Sequence, residues 1–147
     1  MKPVDSNMVY VVSLPWKRPP GWDLSFVDIA QEHRKYMHPV GGSGWPKEPP
    51  NYIAFRLGGK LLSIHHIDDY KVFRRPHDEI AGIPSAVEWE DHFLYTLGPA
   101  FGPRVPPTNG RIWPNGRYWC MLDTLFTCST IAEARDLTRD RLEAHDV

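Results

Sequence analysis

The chain lacks most of the features that would identify it at sight. It has 2 cysteines in 147 residues, Cys120 and Cys128. One such pair is neither a zinc framework nor the disulfide scaffold of a secreted domain, and it fits two reduced, mostly buried thiols. No segment reaches the ~18 apolar residues of a membrane span, and Met1-Lys2-Pro3-Val4-Asp5 has no signal-peptide run. The expectation is a cytoplasmic protein without a membrane partner. Charge of one sign is missing too: 17 Lys and Arg stand against 18 Asp and Glu, for a net charge of −1, so no global basic field announces a polyanion. There is no G-x-S-x-G, HExxH, P-loop or GxGxxG, and Gly41-Gly42-Ser43-Gly44 lacks the Lys-Ser/Thr of a phosphate cradle. No catalytic residue, metal or cofactor is therefore expected.

Other residue types are plentiful. Hydrophobic residues make up 41% and charged residues 24%, which suits one globular domain over residues 1–147. The 15 Pro and 11 Gly demand many turns and irregular loops, and 6 Trp call for a packing or stacking role. Met8 to Leu14 is a β-branched apolar run that stops at Pro15, which predicts a buried strand. Ser25 can cap a helix through about Met37, with Phe26, Ala30, His33 and Met37 on one face, ended by Pro39. Residues 39–50 form a Pro/Gly loop around Trp45.

The clearest local signal is Tyr52–Leu57 meeting Lys60–His65 across Gly58-Gly59, a two-residue hairpin turn in which both positions can take positive φ. A strict register from that turn pairs Leu57 with Lys60, Phe55 with Leu62 and Ile53 with Ile64. It leaves Arg56 beside Leu61, Ala54 beside Ser63 and Tyr52 beside His65 on the other face. His92–Leu97 predicts a strand ending at Gly98-Pro99, and a second strand runs from about Arg117 to Leu122. Thr130 and Glu133 then form a capping box for a helix to about Ala144, with Ile131, Ala134, Leu137 and Leu142 inward.

His65-His66-Ile67-Asp68-Asp69 is the most metal-like cluster, but a strand aims only two of its side chains to one side, too few for a site. The cationic aromatic loops carry more chemistry. Trp16 and Trp22 bracket Lys17 and Arg18, Trp45 neighbours Lys47, and Trp113 lies between Arg111 and Arg117, ahead of Tyr118 and Trp119. From His92 to Leu122 there is no carboxylate at all, while Arg104, Arg111 and Arg117 fall inside. Aromatic faces beside guanidinium groups are what stacking on an unpaired or flipped base requires. Any single Trp is better explained as cover for a small core; it is the pairing of Trp with a cation in three separate loops that brings binding level with that explanation.

The order of a first strand, a helix, a hairpin of the form YIAFR-x-GGK-x-x-S-I, a strand ending in LGP, and a late strand running into a capped helix resembles the PUA-like superfamily. That superfamily of small β-barrels holds the EVE, ASCH and YTH domains, and the likeness of layout covers residues 8–140. It implies an α+β fold: a small, partly open mixed β-barrel with two main helices and long Pro/Gly-rich loops. It also implies binding of RNA or modified bases in a pocket beside the barrel. The ASCH-type Gly-x-Lys followed by Glu and Arg is absent, since Leu61, Leu62 and Ser63 follow Gly59-Lys60, so no hydrolase activity is carried over.

The leading expectation is a non-enzymatic module that binds nucleic acid, DNA or RNA, or a modified nucleotide. In it Trp16, Trp22, Trp45 and Trp113 stack, Arg56, Arg104, Arg111 and Arg117 meet phosphate, and Tyr52 and His65 line the pocket. A metal-assisted or acid/base hydrolase centred on His65, His66, Asp68 and Asp69 is the second expectation. The third is a protein-interaction module, of the kind found in bacterial defence or toxin–antitoxin loci, with its Trp-rich loops as hot spots.

Overall fold

The structure, a computed structural model, describes residues 7–145. Its elements in chain order are β1 (Met8–Ser13), α1 (Phe26–Glu32), β2 (Lys35–Pro39), β3 (Tyr52–Leu57), β4 (Lys60–Phe73), α2 (Pro76–Glu79), β5 (His92–Leu97), β6 (Tyr118–Met121), α3 (Thr124–Thr127) and α4 (Ile131–His145). The fold is α+β. The strands hydrogen-bond in the order β2-β5-β4-β3-β1-β6. β1 runs parallel to β3 while the other pairs are antiparallel. That mixed order has, among the described residues, two ends, β2 and β6. Among the described residues no helix is long and apolar enough to cross a membrane. The chain divides into two compact units, the first covering described residues 7–14, 50–66 and 99–145, the second residues 15–49 and 67–98.

In the first unit the sheet order is β4-β3-β1-β6. Val9, Val11, Ala54, Ile64 and Cys120 project from one face into a core that Leu61, Leu125, Ile131 and Ala134 complete. Tyr10, Val12, Ile53 and Phe55 alternate to the opposite face and are buried as well. The sheet thus buries both faces of β1 and β3, which is why these strands lack the apolar–polar alternation of a one-sided sheet.

The hairpin turn forms as its glycines dictate, with φ of 63° at Gly58 and 83° at Gly59. Leu57 pairs with Lys60 and Arg56 with Leu61, but a bulge follows. Phe55 then faces Ser63, Ala54 faces Ile64, Ile53 faces His65 and Tyr52 faces His66. The strict register is therefore corrected by one residue: Phe55 and Ile64 are both buried but on opposite faces, and Leu62 is exposed. The physical reason is Leu61. With one residue extra in β4, Leu61 and Ile64, three apart, both enter the same core, which strict alternation forbids.

α4 begins as its sequence signals. The Glu133 N–H donates to Thr130 Oγ1 at 3.0 Å, while the Glu133 carboxylate accepts from Ser129 N–H at 3.3 Å instead of from Thr130. Ile131 and Ala134 are buried, and Leu137 and Leu142 only half so. Thr138 is buried between them, its Oγ1 accepting from Met121 N–H and donating to Ala134 O, each at 2.8 Å.

In the second unit the order is β2-β5-β4, and the core joins Leu24, Ile29, Met37, Phe73, Ile80, Ile83 and Leu94. Ser25 caps α1: its Oγ accepts from Asp28 N–H at 3.1 Å and its N–H donates to Asp28 Oδ2 at 2.9 Å. These bonds, backbone first, hold the Asp28 carboxyl below its ordinary range. The helix is shorter than its apolar spacing suggests. It ends at Glu32, and Arg34 at φ 53° turns the chain into strand β2, so Met37 packs from a strand and His33 is exposed. Tyr36, Met37 and His38 are consecutive buried residues, which a strand covered on both faces accommodates and one helix face does not.

Candidate functional site

β6 is the last strand of the first unit's sheet, and α4 packs along it through the Met121–Thr138 bond. Arg117, Tyr118 and Trp119 come from the strand side. Arg135, Arg139, Leu142 and Glu143 come from one helix face, at the three- and four-residue spacing that aligns side chains along a helix. Together they bound an open groove of about 320 Å³.

Three guanidinium groups dominate its charge. Arg135 Nε lies 3.0 Å from Asp136 Oδ1 and Arg139 Nη2 lies 2.7 Å from the same oxygen, so one carboxylate serves both. The Tyr118 ring has Arg56 Cζ at 5.7 Å and Arg135 Cζ at 5.3 Å from its centroid, both within cation–π range. Trp119 packs on Tyr10 with centroids 4.7 Å apart and stays partly exposed. Burial pushes the Tyr10 hydroxyl up, and Arg117 pulls against it. Cys120 lies beneath and offers no nucleophile: burial pushes its thiol up to about 12, despite the opposing pull of Arg135. Both cysteines are free thiols.

A turn adjoins the groove at Tyr118. Gly116 N–H donates to Trp113 O at 3.0 Å, and Trp113 N–H donates to Tyr118 Oη at 2.9 Å. Arg56 Nη2 reaches the same turn, donating to Gly116 O at 2.5 Å, Pro114 O at 3.2 Å and Trp113 O at 3.4 Å. The Trp113 side chain is left 79% exposed. Upstream, the loop is tied down where Asn109 N–H donates to Gly59 O and Ile131 N–H donates to Thr108 O, each at 2.8 Å.

The structure thus brings together Arg56, Trp113 and Arg117, with Arg111 exposed on the same loop. Arg56 takes a different part from the phosphate contact expected of it: it is 2% exposed and engages main-chain carbonyls. Arg104 is exposed on the segment before Pro107. Tyr52 and His65 do not share a wall. Tyr52 lies by His66 and Phe101, with centroids 5.4 and 6.1 Å away, whereas His65 points to the other face, its Nε2 2.8 Å from Ser63 Oγ.

Trp16, Trp22 and Trp45 belong to the second unit. Trp16 is 76% exposed; Trp22 packs against Phe26 and Trp89 in the core, and Trp45 stacks on His38. No three His, Cys, Asp or Glu side chains among the described residues converge as metal ligands would, and neighbours such as His65 and His66 point to opposite faces of β4.

Arg135 and Arg139 were not legible as site residues. Their spacing places them on one helix face, but nothing local says that a strand carrying Arg117 and Trp119 lies against it. No family model, no curated protein and no solved structure matches this chain.

Proposed function

We propose that the protein is a non-enzymatic binding module for nucleic acid or a modified nucleotide, and that the β6–α4 groove with the Trp113 turn is its site. The observation that carries this is the meeting of Arg117, Arg135 and Arg139 with Tyr118 and Trp119 around a groove of about 320 Å³, a volume suited to a nucleotide-sized ligand. Guanidinium groups supply the fork for phosphate oxygens and the rings supply stacking faces for bases. In this reading Arg111, exposed on the loop that carries Trp113, adds to the cationic side, and Trp113 stacks from the adjoining turn. In the same reading the mixed sheet belongs to the partly open, PUA-like barrel that the order of elements in the sequence resembles, a layout in which binding beside the sheet is usual.

Binding of single- and double-stranded DNA and RNA at two salt concentrations tests the proposal. Arg117→Ala combined with Arg139→Ala should weaken binding and reduce the slope of log affinity against log salt by about 1–2. If no nucleic acid binds even at low salt, the proposal fails and a protein-interaction role takes its place. Phe101 and Phe126 favour that second role: they stack 6.3 Å apart while 39% and 44% exposed.

A further inference from the structure

Arg56 carries a charge into a place that gives it little return as an ordinary core residue. It is 2% exposed, and among the described residues no carboxylate pairs with it. Its Nε is buried with no hydrogen-bond partner. Burying a guanidinium without a counter-charge is costly, and desolvation accordingly lowers its pKa. What offsets that cost is narrow: the ring of Tyr118 and three carbonyls of the adjoining turn, 113–116.

The turn has a second device of the same kind. A methyl group at Gly116 would overlap the Tyr118 hydroxyl and ring, so only glycine lets the main chain lie against that side chain while Trp113 N–H donates to its oxygen. A buried cation and a close glycine contact thus hold one short stretch of backbone, and the side chain this leaves in solvent is a tryptophan. Ordering a recognition element before its ligand arrives lowers the entropy lost on binding.

We infer that Arg56 is a positioning residue: from the buried side of the turn it sets the main chain so that Trp113 stands pre-ordered as the stacking platform of the site. The assignment rests on the nucleotide-binding reading above and gives it a residue that never touches the ligand.

The test uses full-length protein labelled with 5-fluorotryptophan, with the Trp113 ¹⁹F line identified by its loss in W113A. Affinity is measured by anisotropy of fluorescein-labelled short oligo-dT and oligo-rU. W113A should weaken binding about tenfold with the salt slope nearly unchanged. R56K keeps the charge but not the fork, and G116A keeps Arg56 but lifts the turn. Each should shift or broaden the Trp113 line and reproduce most of the W113A loss, again without changing the slope. Should R56K fail to fold, G116A with the same two readouts carries the test. Affinity within twofold of wild type despite a displaced Trp113 line would overturn the assignment. So would lost affinity with the Trp113 line unmoved, which marks Arg56 as a contact or a merely structural residue. If wild type binds neither oligonucleotide while R56K and G116A still displace the Trp113 line, the nucleotide-binding reading fails and the ligand-directed role of Arg56 falls with it, although its hold on the turn stands.

Discussion

Two loops look alike in sequence and end in opposite states. Residues 39–50 and 107–117 both set a Trp among Pro and Gly with a cation close by. In the first, Trp45 stacks on His38 at 4.8 Å and 8° between ring planes. His38 is itself fixed: its Nδ1–H donates to Pro39 O at 2.6 Å, and its Nε2 shares a hydrogen bond with the Tyr95 hydroxyl at 2.5 Å, as acceptor when the ring is neutral. The loop folds back on itself through Gly41 N–H to Pro46 O and Trp45 N–H to Gly42 O. In the second, a buried Arg56 holds the main chain and the indole is left out. A Trp in a loop is therefore no sign of binding by itself. What decides is whether the polar group beneath the loop anchors the indole or the backbone.

The largest expected effect separates the two indoles directly. Trp45→Ala should destabilise the protein by about 2–3 kcal/mol, since it strips a packed aromatic from His38, while Trp113→Ala should change stability by less than about 0.5 kcal/mol. Urea denaturation of both variants measures this, and equal losses would break the comparison. Next in size is Tyr95→Phe, which removes the hydroxyl bonded to the buried His38 Nε2 and should cost about 1–2 kcal/mol. An unchanged midpoint would mean that the Tyr95–His38 bond adds nothing to the support of the Trp45 loop.

The two cysteines sharpen the contrast without a large change in stability near neutral pH. Cys128 is half-buried and should react with iodoacetamide in the folded protein at pH 8, whereas Cys120 should label only on unfolding. Peptide mapping after timed labelling checks the order. Because burial raises the Cys120 thiol from 9.0 to about 12, its contribution to stability is intact below about pH 9 and is lost as pH rises from there toward 12. Cys120→Ala should remove that part of the alkaline destabilisation. If Cys120 labels as fast as Cys128 under native conditions, the buried side of β6 is more open than described.

How much of this was legible depended on the range of the forces involved. The Gly58-Gly59 turn, the Ser25 cap and the Thr130 start of α4 are local agreements between a residue type and its own backbone. They could be read from the chain. The end of α1 could not: Met37 continues the apolar spacing of the helix, but Tyr36, Met37 and His38 are all buried once β2 pairs with β5. The bulge between Phe55 and Arg56 was equally hidden, because it depends on a core that takes Leu61 and Ile64 together.

By itself, then, the sequence determined where the chain turns and caps, which stretches are apolar enough to be strands, and that one long segment carries Arg and Trp without a carboxylate. Only the tertiary structure decided which of those cations and rings meet. Arg56 turned inward because its strand is buried on both faces, and Trp22 and Trp45 were taken up by packing. Arg135 and Arg139 joined Arg117 because α4 lies along β6. Propensities and turn chemistry act over a few residues, whereas a groove is made by elements distant in the chain, and its composition is set by which faces the core leaves over.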